Sequence, residues 1–188
     1  MKKTLCAIAL AAALPLSAQA AAPSYTWIQG DYVRADDADA DGFGVRGNVA
    51  FGESDFYGLG SYRSVTADTF FGDVDLSQFE LGAGYALSLS DNADLIAELA
   101  WQNVEADAFG ASADTDGYRA SVGSRIGFND YIEGLARLNY IDGSDVDGDV
   151  TGTLGLLVKF NPTWGVAGEI ETDGDGGEFY SVGVRASF

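Results

Sequence analysis

Glu178-Phe179-Tyr180-Ser181-Val182-Gly183-Val184-Arg185-Ala186-Ser187-Phe188 closes the chain, and its period of two decides the fold. Tyr180, Val182, Val184, Ala186 and Phe188 fall on one face, and Ser181, Gly183, Arg185 and Ser187 on the other. Side chains alternate across a strand, so this is a strand with one apolar face and one polar face that carries a cation. The same pattern repeats upstream. Gly42–Gly52 sets Phe43, Val45, Gly47, Val49 and Phe51 against Gly44, Arg46, Asn48 and Ala50. Thr115–Phe128 sets Tyr118, Ala120, Val122, Ile126 and Phe128 against Arg119, Ser121, Gly123 and Arg125.

Applied along the chain, this reading gives ten strand-like segments: Ser24–Arg34, Gly42–Gly52, Phe56–Val65, Ser77–Leu89, Asp94–Ala106, Thr115–Phe128, Tyr131–Ile141, Val150–Phe160, Trp164–Thr172 and Glu178–Phe188. Each is about the 9–11 residues that a tilted strand needs to cross a bilayer. Short connections (Glu53–Asp55, Ser90–Ala93, Asn129–Asp130, Asn161–Thr163) alternate with longer ones (Ala35–Asp41, Thr66–Leu76, Asp107–Asp114, Asp142–Asp149, Asp173–Gly177). Tight turns on one rim and longer loops on the other describe a transmembrane, antiparallel, up-and-down β-barrel of outer-membrane type. Ten strands are expected, with eight as the alternative if Phe56–Val65 or Trp164–Thr172 is not a strand.

A soluble β-sandwich alternates in the same way, so the charges decide which face is inside. Arg46, Arg63, Arg119, Arg125, Arg137, Lys159 and Arg185 share the polar face with Asp31, Glu80, Glu98, Glu133, Glu169 and Glu171. Seven cations against six anions is the balance a closed lumen requires, because buried charges must be paired. We therefore expect a lumen network built around Arg46, Glu80, Glu98, Arg119, Arg125, Glu133, Arg137, Glu169 and Arg185. The opposite face carries aromatics near the strand ends, as the two interfacial girdles of a membrane barrel do. Outer-membrane barrels typically end in a strand like this one. Tyr180, Val182, Val184 and Phe188 are thus an expected signal to the barrel-assembly machinery.

The N-terminus reads as an address. Lys2 and Lys3 precede the apolar run Leu5–Leu16, and Ser17-Ala18-Gln19-Ala20 offers a small-residue cleavage site. Residues 1–20 are expected to be a secretory signal peptide and 21–188 the barrel domain, exported by the general secretory route to the Gram-negative outer membrane. Cys6 lies within the apolar run, away from the cleavage point, which argues against a lipoprotein.

The 188 residues hold 29 Asp and Glu, 10 Lys and Arg, no His and one Cys. Removal of the leader leaves eight cations and a net charge of −21. Such a chain does not bind nucleic acid, whose partners supply positive charge. Without His it has no Ser-His-Asp triad and no histidine metal site, and no enzyme is expected.

The segment from Ser24 to Arg34, followed by Asp39-Ala40-Asp41-Gly42-Phe43-Gly44-Val45, resembles a family of small outer-membrane proteins from plant-associated and opportunistic proteobacteria. Lys159-Phe160-Asn161-Pro162-Thr163-Trp164-Gly165 is similar too, and the resemblance covers most of the mature chain. It implies a barrel of the general OmpA/OmpX type. That family was once proposed as a sulfation-dependent quorum-sensing and plant-immunity-eliciting factor, and its modified tyrosine corresponds to Tyr25.

Fifteen acids and no Lys or Arg occupy the long connections, and Asp116 and Glu178 at their edges bring the rim to seventeen. Asp37-Ala38-Asp39-Ala40-Asp41-Gly42 matches the opening of a calcium loop, but the twelfth position is Asn48, inside a strand, so it is no EF-hand. Asp37, Asp39 and Asp41, with Asp145 and Asp147, are candidates for a weak Ca²⁺ or Mg²⁺ site; otherwise no cofactor is expected. Divalent ions at this rim could also bridge to surrounding lipopolysaccharide. Expected partners are thus outer-membrane lipid, lipopolysaccharide and the assembly machinery, around a monomer. The expected role is envelope structure and surface interaction, of the adhesion or biofilm kind. Two alternatives stand beside it: a narrow cation-preferring passive pore, and a secreted or vesicle-borne quorum-sensing factor.

Overall fold

The computed structural model describes residues 22–36, 39–69, 72–108, 111–144, 148–172 and 177–188. The expected leader, and the positions of Asp37, Asp145, Asp147, Asp173 and Asp175, lie outside them.

Ten antiparallel strands close into one barrel: β1 (Trp27–Ala35), β2 (Ala40–Ala50), β3 (Phe56–Thr69), β4 (Gly72–Ser90), β5 (Ala93–Ala108), β6 (Ala111–Asn129), β7 (Ile132–Gly143), β8 (Asp149–Lys159), β9 (Trp164–Thr172) and β10 (Glu178–Ser187). Every strand pairs with its sequence neighbours, and β1 pairs with β10 to close the cylinder. Phe56–Thr69 and Trp164–Thr172 are both strands, so the eight-stranded alternative falls.

The expected faces are the observed ones. Leu81, Leu99, Val122, Val182 and Val184 stand outward, at 60%, 61%, 51%, 52% and 51% exposure, while Arg119 and Arg185 face inward at 6% each. On β3, Phe56 points out and Tyr57 in, on the face that carries Arg63. A continuous apolar outer wall of this extent is a surface for lipid, and the closed ladder leaves no unpaired edge within it. Aromatics band both of its margins. Phe43 and Tyr62 (6.1 Å), Phe79 and Trp101 (6.0 Å) and Tyr118 and Tyr140 (6.4 Å) pair at one end, and Phe56 and Tyr85 (4.9 Å) at the other.

The turns at the second end are tight. Gly52 takes φ +63° in the β2–β3 connection, a backbone that glycine adopts without a steric penalty. At the first end, Asp39 holds φ +44° between β1 and β2, where a short polar side chain is tolerated.

One expectation about that first rim is corrected. Thr66–Leu76 and Asp107–Asp114 are mostly not loops: β3 runs to Thr69, β4 starts at Gly72, β5 runs to Ala108 and β6 starts at Ala111. The ladders continue to Thr69↔Gly72 and Ala108↔Ala111. Asp73, Asp75, Asp107, Asp114 and Asp116 therefore stand on strands. β4 and β6 have 19 residues each against 9 for β1 and β9, so β3–β6 rise above the rest of the rim; the inner face of this sheet is half-buried at Val74, Leu76, Val104 and Ala106, and both faces are exposed on β6 from Ala111 to Asp114.

Candidate functional site

Inward-facing residues of all ten strands fill the barrel around a cavity of about 470 Å³. The charges fall into three bonded clusters. On β6, Arg119 donates through Nε and Nη2 to the two oxygens of Glu80 on β4, at 3.0 and 2.9 Å. Its Nη1 reaches Glu98 on β5 at 3.4 Å. Glu98 also takes Arg137 Nη1 at 2.9 Å and the Tyr57 hydroxyl at 2.8 Å. Across the lumen, Arg46 bridges Asp31 (3.0 Å) and Glu169 (2.6 Å), and Arg185 meets Glu169 at 3.8 Å. Arg125 pairs with Glu133 through Nε at 2.9 Å, and Lys159 joins the same carboxylate at 3.3 Å.

A neutral relay continues the network. Arg119 Nη1 donates to Ser121 (2.7 Å), Ser121 donates to Asn139 (2.8 Å), and Asn139 donates to Thr151 and Thr153 (2.9 and 3.0 Å). Arg185 Nε donates to Gln29 (2.6 Å), and its guanidinium lies 4.0 Å over the Trp27 ring. Arg63 donates to Gln78 and stacks 4.6 Å over Phe179. The structure thus brings all nine residues of the expected network into one lumen. Buried ion pairs of this density add little net stability, because desolvation offsets the attraction.

Two features of the lumen were not expected. The first is apolar. Val33, Ala35, Ala40 and Val65 form a buried cluster with Ala67, Leu76 and Phe179 packed against it, filling one side of the lumen toward the acidic rim. Ile96, Leu59, Ala86 and Ala100 form a second cluster with Tyr57, nearer the tight turns. Period two located these residues inside, but the polar character of the face was read from its charges.

The second feature is a plug. Tyr25 does not begin β1, as the sequence suggested; β1 starts at Trp27, and Tyr25 turns into the mouth of the barrel at the tight-turn end. Its ring stacks on Tyr57 at 4.8 Å and packs under the Arg125 guanidinium at 4.7 Å. Its hydroxyl donates to Asp94 at 2.9 Å. Burial pushes this phenol well above its ordinary pKa; Arg125 opposes the shift and Asp94 adds to it. Arg125 Nη1 also donates to the Ser24 carbonyl at 2.9 Å, and Ser24 Oγ donates to the Phe188 main-chain oxygen at 3.1 Å. Phe188 in turn donates its N–H to Thr26 at 2.8 Å. Ser24 and Thr26 thus clasp Phe188 at this mouth of the barrel.

Asp94, the first residue of the expected segment Asp94–Ala106, is not among the six expected lumen anions. It is 5% exposed and faces inward, which corrects the lumen balance to seven cations and seven carboxylates. Tyr180, Val182 and Val184 line the outer wall of β10, and Phe188 is exposed at its end. Of the candidate metal ligands, Asp39 accepts a bond from Arg34 at 2.8 Å and Asp41 is exposed. Asp37, Asp145 and Asp147 lie outside the described residues, among which no group of three or more ligating side chains gathers.

No protein-family model matches the chain, and no curated protein matches it. Solved structures do. KdgM porin aligns with a TM-score of 0.52 at 15% identity, covering 86% of this chain and 99% of that one. NanC porin aligns with a TM-score of 0.54 at 9% identity, covering 86% and 100%. At such identities the likeness is one of fold, and the fold is that of the outer-membrane β-barrel.

Proposed function

We propose that the chain is an integral outer-membrane barrel, closed to solutes, that serves envelope structure and surface interaction. One observation carries this reading: packed and bonded side chains cross the lumen at successive heights, around a cavity of about 470 Å³. The Tyr25 plug fills one mouth, the arginine–carboxylate network the middle, and the Val33–Val65–Phe179 cluster part of the other. A conducting pore needs a continuous water path, and here the side chains that would line it are bonded to one another. On this reading the tight turns face the periplasm, where the leader delivers the chain, and the acidic rim faces outward.

A passive cation-preferring pore is the second reading. The cavity of about 470 Å³ and the porin-like fold favour it. Planar-bilayer recordings of the refolded protein decide between the two: no channel events are expected, and stable cation-selective steps would overturn the closed barrel. For the signalling reading, the Tyr25 hydroxyl is the critical atom. In the barrel it is committed to Asp94. A sulfate ester would remove that donor and set an anion beside Asp94. Sulfation and the plug are therefore alternatives, and mass spectrometry of the folded, outer-membrane protein is expected to find Tyr25 unmodified.

A further inference from the structure

The β6–β7 ladder stops well short of the end of β6. It begins at Gly117↔Gly143, and the Ser144 N–H adds one bond to the Asp116 carbonyl at 3.0 Å. Above that point, Ala111–Thr115 pairs only with β5 among the described residues. The Asp116 carbonyl points toward β7, and backbone direction alternates along a strand. Ser112 and Asp114 therefore turn their N–H and C=O groups away from β5, toward an edge that no described residue pairs. Ala111 to Asp114 are exposed on both faces of the sheet. An unpaired edge of this kind is a template for another strand.

The charges select what pairs with it. Asp73, Asp75, Glu105, Asp107, Asp114 and Asp116 share parity with Phe79, Trp101 and Tyr118, and so lie on the outer face of the raised sheet. Asp75 stands directly opposite Asp107, and Glu105 opposite Asp114. Like charges set directly across a ladder repel. Thr66 donates to Asp75 and Asn103 to Asp116, but neither brings a positive charge. Among the described residues only Arg34 is a cation outside the lumen, and it is bonded to Asp39. A second copy of the chain would bring the same anionic face and be repelled.

We propose that the edge Ala111–Thr115 captures an extended basic segment of a partner protein by β-augmentation. The backbone of Ser112 and Asp114 supplies the hydrogen bonds. Lysine or arginine at alternate positions of the added strand falls beside Asp114 and Asp116. This rests on the surface-interaction reading, but not on whether the lumen conducts.

The test uses the folded mature protein in detergent, with an unheated-band mobility shift as the check on folding. The probe is a labelled nine-residue peptide of alternating lysine and threonine. It is expected to bind and to weaken severalfold as salt is raised. The same peptide methylated at every backbone nitrogen keeps its charge, loses its donors and is expected to bind at least tenfold more weakly. Ser112→Pro blocks the open side of the edge while leaving the bonds to β5, and an equal loss is expected. Asp114→Asn with Asp116→Asn is expected to weaken binding severalfold. Equal affinity of the methylated and unmethylated peptides would overturn the proposal in favour of nonspecific ionic adherence. So would hydrogen-exchange protection of the Ser112 and Asp114 amides in the free protein, which would show the edge already covered.

Discussion

Tyr25 illustrates how much a residue's role depends on what the chain does just outside its regular elements. The alternation from Ser24 to Arg34 runs through it, but β1 begins only at Trp27, so strand periodicity does not set its direction, and only the family resemblance singled it out. Its structural partners were partly legible. Asp94 shares parity with Glu98 and Gln102, which places it inside once β5 is in register; its position beside the Ser90–Ala93 turn masked that. Replacement by alanine removes a ring stacked on Tyr57 and leaves the buried Asp94 without its donor. Tyr25→Ala is expected to lower stability by about 2–4 kcal/mol, from lost aromatic burial and an unpaired acceptor. Urea titration of the micelle-folded protein reads this, and bilayer recordings of the same variant are expected to show openings absent from the parent. The pH response has a definite sign. A phenol pushed above its ordinary value binds its proton more tightly when folded. Its contribution is then complete below a pH of about 10 and is lost as the pH climbs further. Tyr25→Phe, which has no proton to lose, is expected to flatten part of the alkaline fall in the urea midpoint; identical pH profiles for the two proteins would exclude this role for the phenol.

At the scale of the element, the strands were legible and their upper ends were not. Alternation reports a strand only while its two faces meet different surroundings. Within the membrane, lipid on one side and lumen on the other keep the pattern sharp. Above it the outer faces of β4, β5 and β6 carry acids in water and the inner faces small or half-buried side chains, and the Asp, Ser, Thr and Gly there read as loop. The trace that remains is faint: Val74 and Leu76 alternate with Asp73 and Asp75, and Val104, Ala106 and Ala108 with Glu105 and Asp107. Lumen glycines are informative in another way. A Cβ at Gly84 would sit 2.2 Å from the Tyr57 ring, so this glycine is the recess in which Tyr57 lies while it supports Tyr25 and donates to Glu98. Gly84→Val must expel the ring, and overpacking of this kind costs about 1–3 kcal/mol. The expected result is a lower urea midpoint with the barrel still closed. Double substitution with Tyr25→Ala is expected to cost less than the sum of the two, because both act through Tyr57.

At the scale of the molecule, charge is partitioned. The net −21 expected for the mature chain is excluded from the lumen, where seven cations meet seven carboxylates, and is gathered on the acidic rim and the turns. This partition was nearly complete in the sequence because parity sorts charges before any partner is known; what parity cannot give is which arginine meets which carboxylate across the barrel. Glu98 is where those long-range choices converge. It holds Arg119, Arg137 and Tyr57, which come from three other strands, and its side chain is 7% exposed. Glu98→Ala leaves Arg119 with Glu80 alone and takes from Arg137 the one carboxylate it pairs with among the described residues. Breaking a buried pair in this way costs about 3–5 kcal/mol. Glu98→Gln keeps the shape and one acceptor and is expected to cost less. The two kinds of charge should also answer differently to salt. Screening acts on exposed charges across a Debye length of roughly 8–10 Å and hardly on buried ones. Raising salt is thus expected to stabilise the parent by relieving repulsion on the rim, while leaving the penalty of Glu98→Ala nearly unchanged. Unfolding midpoints of parent and variant, taken at low and high salt from the heated and unheated bands, measure both effects. A penalty that disappears in high salt would mean that the network is open to solvent and the lumen is not closed.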